Sequence, residues 1–245
     1  MKKRNAFTLA EVLITLGIIG IVAAMTLPAI TSAYRKNVIE TELKKTYSLL
    51  NQLIRRSEVD NESATTWNWE NTLDYELTNQ FFDKYFAPYL QITNRKRSYG
   101  DDRWYSVYSS IGEGPSWQYN NSHNADWIRL ADGRVIMLSL YGRDNIYYGT
   151  WSVIVSSAVR NSHLVSGRDI FAFTININKD KSSVTVFPNS YWNWSCDTLK
   201  TNRQSFLDKC RAVDNSGSGI YPEHYCTMLI YCNNWKIPKD YPVKI

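Results

Sequence analysis

Arg4-Asn5-Ala6-Phe7-Thr8-Leu9-Ala10-Glu11 opens an apolar run, Val12-Leu13-Ile14-Thr15-Leu16-Gly17-Ile18-Ile19-Gly20-Ile21-Val22, that continues to Pro28. About 20 apolar residues suffice to cross a hydrocarbon core as a helix, so the chain reads as anchored in a membrane at its start. Between Phe7 and Ile30 the only ionisable side chain is Glu11. A charge there costs about 2.5 to 3.5 kcal/mol on insertion scales, so an acid inside a span marks a function by default. Lys2, Lys3 and Arg4 precede the run. Basic flanks stay cytoplasmic, which directs the rest of the chain outward.

An ordinary secretory signal has a shorter apolar core, roughly 7 to 15 residues, with a small-residue cleavage site after it. Here the run is long and the small residue, Ala6, comes before it. A cut after Ala6 removes the basic leader, leaves Phe7 as a new N-terminus beside Glu11, and spares the anchor.

This arrangement resembles the N-terminal segment of type IV pilins and type II secretion pseudopilins. The likeness rests on Ala6, Phe7, Thr8, Leu9 and Glu11 and on the hydrophobic helix they open. It implies that a prepilin peptidase cuts between Ala6 and Phe7 and methylates the Phe7 amine, that Glu11 is the assembly glutamate, and that Pro28 is the helix-bending proline. The residue before the cut is usually Gly in that family, and here it is Ala6. In a filament the apolar helices pack together, and Glu11 can meet the charged amine of a neighbouring Phe7, so that neither charge is left unpaired in a dry core. The bland counterpart is a single-span anchor whose Glu11 reaches headgroups or water.

The formal charge is +5, but the leader holds three of the 28 Lys and Arg, so 25 stand against 23 acids in the processed chain. A nucleic-acid-binding domain concentrates a strong positive field, and none is expected here. The densest cluster, Arg95-Lys96-Arg97, is followed by Asp101 and Asp102 and reads as a solvated loop. Cys196, Cys210, Cys226 and Cys232 all lie in the last fifty residues. An even number beyond the anchor favours disulfides, with three connectivities open. The spacing contains no C-x2-C zinc knuckle. The resemblance implies Cys210 with Cys226 and Cys196 with Cys232.

After Pro28, Ile39, Leu43, Tyr47, Leu50 and Ile54 recur every three or four residues, the mark of a half-buried helix. It continues the span as one rod, with a bend expected at Pro28, which removes a backbone donor. Leu73, Leu77, Phe81, Tyr85 and Tyr89 trace a second helix stopped or kinked by Pro88. The stretch to Asn124 reads as an irregular insertion that packs through Trp104, Tyr105, Trp117 and Tyr119. Asp132-Gly133 between Asp126–Ala131 and Arg134–Leu138 suits a tight hairpin whose central residues take positive φ. Further strands are expected over 151–157, 170–178 and 183–187, giving four to five in all. An antiparallel sheet lying on the amphipathic half of the spine buries both apolar faces.

The fold class is therefore α+β, a pilin-like ladle with a long N-terminal helical spine, an antiparallel β-sheet head and a disulfide-containing C-terminal region. The expected organisation is a leader over 1–6, a transmembrane or filament-core helix over 7–30, and its amphipathic continuation over 31–60. A helix and aromatic-rich insertion follows over 61–125, then an antiparallel sheet over 126–190 and the cysteine-containing region over 191–245. Leu130-Ala131-Asp132-Gly133, Gly167-Arg168-Asp169-Ile170-Phe171 and the end from Cys226 through Trp235-Lys236-Ile237-Pro238 also resemble the family.

His123, His163 and His224 are far apart and in no metal-ligand spacing, and the chain has no Walker loop, GxGxxG or G-x-S-x-G. No enzyme activity, cofactor or metal is expected. Asp208, Asp214 and Asn215 near Gly217 and Gly219 lack regular calcium-ligand spacing and read as a flexible loop. Nine Trp and seventeen Tyr have two readings: they fill the core, or Trp67 with Trp69, or Trp192 with Trp194, present rings to a glycan or protein partner.

The resemblance implies a structural subunit in the bacterial inner membrane, single-pass with the head outside, later part of a periplasmic or cell-surface filament. Its partners are then homologous pilin or pseudopilin subunits, the prepilin peptidase, the membrane and a pilus or secretion assembly platform. The alternative is a pilin-anchored surface adhesin or glycan-binding protein that uses the aromatic-rich head.

Overall fold

A computed structural model describes residues 8–69, 75–98, 106–108, 115–118, 125–143, 146–155, 163–177, 183–188, 194–211 and 222–245. The chain divides into two compact units, one running to Val38 and taking in Ile245, the other Ile39–Lys244. The first helix, α1, covers Leu9–Asn61 without a break at Pro28.

In the second unit α1 buries Ile39, Leu43, Leu50, Leu53 and Ile54, close to the expected spacing. Tyr47 is only half-buried, its ring tilted against Tyr231 and Trp235 at 5.8 and 5.2 Å. Beyond α1 come α2 (Tyr75–Tyr85), β1 (Ile92–Ser98), β2 (Ser106–Tyr108), β3 (Pro115–Gln118), β4 (Ala125–Leu130), β5 (Val135–Arg143) and β6 (Ile146–Ile154). They are followed by β7 (His163–Val165), β8 (Ile170–Ile177), β9 (Val184–Phe187), α3 (Cys196–Thr201), α4 (Arg203–Arg211) and α5 (Pro222–Tyr231). Six strands form an antiparallel sheet in the order β1-β4-β5-β6-β8-β9, and β3-β2-β7 form a smaller sheet. With the long helix and two disulfides this is a pilin-like α+β fold.

Two expectations need correction. The insertion is not irregular throughout, because β1 pairs with β4 as an edge of the main sheet. Arg95-Lys96-Arg97 lies within that strand rather than in a solvated loop. Charged residues on an edge strand discourage pairing with foreign strands, and they also erase the apolar alternation that announces a strand. Arg95 is engaged: it donates to Asp83 and to Asn79 Oδ1, and its guanidinium lies 4.4 Å from the Phe82 ring centre. Of the residues expected to pack the insertion, Trp104, Tyr105 and Tyr119 lie outside the described residues, as do Leu73, Asp101 and Asp102.

The Asp132-Gly133 turn is the second correction. Only Gly133 has positive φ, 90°, and Gly133 N donates to Leu130 O while Leu130 N donates to Arg134 O. This is a three-residue connection ending in a left-handed glycine, the next commonest hairpin after the two-residue form. Asp132 accepts from the Arg134 side chain, which itself reaches Thr46 Oγ1 on α1. Burial raises the Asp132 pKa, but hydrogen bonds and charge from Arg134 outweigh it and hold the carboxyl below its ordinary value.

Trp67 and Trp69 are core residues, 4% and 6% exposed. Trp67 stacks on Tyr85 at 4.4 Å and Trp69 packs on Phe81 at 4.7 Å. Their indole N–H groups donate to Asn61 O and Ala64 O, so each polar tip is satisfied where its ring is buried. Trp67→Ala is expected to cost about 3 to 5 kcal/mol, seen as a lower urea midpoint of the detergent-solubilised chain. An unchanged midpoint would show that this cluster does not hold the fold.

The C-terminal region closes on itself through Cys196–Cys232 and Cys210–Cys226, the pairing that the resemblance implied. α5 is buried from Pro222 to Ile230 and lies against β8, where Thr227 Oγ1 accepts from Ala172 N at 3.1 Å. A bidentate pair, Arg203 to Asp240 at 2.7 and 2.6 Å, ties α4 to the chain end. The Arg203 hydrogen bonds hold the Asp240 carboxyl below its ordinary 3.8. A depressed acid stabilises the fold fully above the unfolded value and loses that contribution as pH falls through the folded one. Asp240→Asn should therefore lower the urea midpoint at about pH 6, with the gap to wild type narrowing as pH falls below the ordinary carboxylate range; a gap that does not narrow would contradict the pairing.

Candidate assembly site

The first turn of α1 is built by a T-x-x-E pattern. Thr8 N and Thr8 Oγ1 each donate to Glu11 Oε2 at 2.8 Å, and Glu11 N donates to Thr8 Oγ1 at 3.3 Å. This is a reciprocal capping box, which satisfies two of the donors that any helix start leaves open. The pattern is legible in the sequence, yet reading Glu11 only as an intermolecular charge misses it. Thr8 is the residue that such a reading overlooks.

Above the cap the helix is bare. Leu9, Leu13, Ile14, Leu16, Ile18, Ile19, Ile21, Met25, Leu27 and Ile30 are each more than half exposed. An 18-residue window here has a mean hydropathy of 2.3, and the helix is long and apolar enough to cross a membrane. The threonine hydroxyls turn inward to the backbone: Thr15 donates to Glu11 O, Thr26 to Val22 O and Thr31 to Leu27 O, each at 2.9 Å. Such bonds leave no hydroxyl seeking water, as hydrocarbon requires. A Cβ added at Gly17 or Gly20 would meet nothing within 4 Å. The fold of this chain therefore does not require glycine there; small residues at such positions permit close approach of a second helix. Pro28 sits inside the continuous helix and offers no N–H to the preceding turn.

Ala6 and Phe7, the processing and methylation positions, lie outside the described residues. Glu11 and Pro28 share α1, and the four cysteines are brought together as two pairs in the C-terminal region. Trp192, His123, Asp214, Asn215, Gly217 and Gly219 are also outside the described residues. Asp208 lies on α4 and accepts from Gln204 at 2.8 Å. Among the described residues no three His, Cys, Asp or Glu side chains gather to hold a metal ion. Trp194 packs on Phe206 and Tyr225 at 5.1 and 4.5 Å.

Two protein families match the chain. A prokaryotic N-terminal methylation motif matches residues 1–27, and a family of unknown function, DUF6613, matches residues 29–245. No curated protein and no solved structure matches.

Proposed function

Because the chain belongs to the family of unknown function DUF6613 and starts with the prokaryotic N-terminal methylation motif, we propose that it is a pilin or pseudopilin subunit of a type IV pilus or type II secretion pseudopilus. The chain inserts through α1 into the inner membrane with residues beyond the span outside the cytoplasm. A prepilin peptidase cuts after Ala6 and methylates Phe7. Subunits then leave the bilayer by packing their α1 segments together, Glu11 of one meeting the Phe7 amine of the next. The observation that carries this reading is the bare apolar half of α1 with a capped glutamate at its start, coinciding with the methylation motif.

The work of such a subunit is mechanical. The methylation motif belongs to structural proteins, and ATP hydrolysis falls to a separate motor on the assembly platform. The surface-adhesin alternative loses Trp67 and Trp69, whose rings are buried in the core. The test is to express the full chain with a prepilin peptidase and assembly platform, shear the cells, and image the pelleted fraction with an antibody to the chain. Labelled filaments are expected. Protein confined to the membrane as single subunits would contradict the reading.

A further inference from the structure

Two patches on α1, both within the unit Ile39–Lys244, are complementary in charge and separated along the helix. The first is an open groove between α1 and the turn after α5, lined by Glu40, Lys44, Lys45, Ser48, Trp235 and Lys236 among others, three cations against one acid. Lys236 is committed to Glu40 at 2.6 Å, while Lys44 holds no ion pair among the described residues. The groove wall is held in place at a cost. Asn234 and Trp235 take φ of 55° and 62°, a left-handed backbone that bulky residues rarely adopt. The Trp235 ring is fixed there by Tyr47 and Tyr231 at 5.2 and 5.1 Å.

The second patch is the far end of α1, Glu58-Val59-Asp60-Asn61-Glu62. Carboxylates at a helix C-terminus oppose its dipole, and the last turn contains no basic residue. Glu58 accepts from Ala64 N and Asp60 from Tyr89 OH. Arg55 and Arg56, a turn earlier, make no ion pair with them, and Glu62 holds none among the described residues. Between these acids Val59 is 83% exposed.

We infer that the acidic end of α1 in one copy docks into the Lys44–Lys45–Trp235 groove of a second copy, with Val59 against the groove wall. This deepens the filament reading and rests on it. The patches differ, so the contact is head-to-tail and repeats without closing unless the rotation closes it, the geometry of an open helical assembly. Lys44 and Asp60 are 16 residues apart on one helix, which sets an axial stagger of about 24 Å between the two copies, against about 6 Å for a Glu11–Phe7 pair four residues apart, so the docked copy is a farther neighbour along the filament than the one that pairs with Glu11. Acids at the dipole's negative end gain the cations that their own chain does not supply.

The test uses the full chain under the assembling conditions above. Lys44→Glu and Glu62→Lys should each reduce pelleted filaments roughly tenfold, because like charges then face each other across the contact. The double swap should restore them. In a separate pair, Lys44→Cys with Glu62→Cys should give a bismaleimide-linked ladder of copies, and neither single variant should. Wild-type filaments with unaltered yield in both single reversals, and no ladder, would overturn the docking while leaving the subunit reading intact. Absence of filaments from wild type, with Lys44–Glu62 linking also absent, would overturn both.

Discussion

Replacing Glu11 with Ala is expected to leave membrane insertion intact and to lower filament yield by two orders of magnitude or more. Insertion depends on the apolar run, which the substitution makes more apolar. Assembly depends on what happens to two charges when α1 segments pack in a dry bundle. Removing one partner of a buried pair leaves the other uncompensated, at about 3 to 5 kcal/mol, and each factor of ten needs about 1.4 kcal/mol. The capping box supplies a competing explanation, because Glu11 also receives two hydrogen bonds from Thr8. Glu11→Gln separates them: glutamine keeps the reciprocal cap but carries no charge. If charge pairing controls assembly, Gln is nearly as defective as Ala; if the cap controls it, Gln assembles normally and Thr8→Ala fails instead. Pelleted filament per cell, normalised to membrane-inserted chain, reads all three variants.

The second large effect is expected at Gly167. Its φ is 76°, and its carbonyl accepts from the Tyr241 hydroxyl at 2.7 Å. A Cβ there would collide with the Cys226 sulfur and come within 2.8 Å of the Tyr241 hydroxyl and 2.9 Å of Cys226 Cβ. None of these atoms can retreat cheaply, because Cys226 is locked to Cys210 and fully buried. Burial pushes the Tyr241 phenol well above its usual pKa, so it remains a donor throughout the neutral range. Gly167→Ala combines left-handed strain with overpacking, each a recognised source of large losses, and should cost about 3 kcal/mol or more. The urea midpoint of the detergent-solubilised chain should fall accordingly, and Gly167→Val should fail to accumulate. A small change for Ala would show that the disulfide and the Tyr241 loop yield more readily than their burial implies.

The elements legible in the sequence were those whose signal is local and periodic. The apolar start of α1, its Ile39-Leu43-Leu50-Ile54 stripe and the Leu130–Arg134 hairpin all carry such a signal, and they place the assembly segment as well as the sheet. α5 carries none: it is buried from Pro222 to Ile230 even though Glu223, His224 and Thr227 lie within that stretch, so polar and apolar residues are buried alike and no amphipathic period shows. β1 was hidden for the opposite reason, since an edge strand of Asn, Lys and Arg shows no alternation. The Gly167-Arg168-Asp169 run stood out as a family-like pattern, but its reason lies in Cys226 and Tyr241, contacts remote in sequence. Asp132-Gly133 announced a turn correctly and its type wrongly, because only one of the two residues adopts positive φ. At the assembly site, Glu11 was plain from its isolation among apolar residues, and Thr8 from the T-x-x-E spacing once that spacing is read as a cap.

Whether this chain is processed as a prepilin is read out by N-terminal mass spectrometry of the membrane-extracted protein, expressed with a prepilin peptidase. A mature chain beginning at N-methylated Phe7 is expected. A chain that retains Met1 to Ala6, or one cut beyond the apolar run, would contradict it.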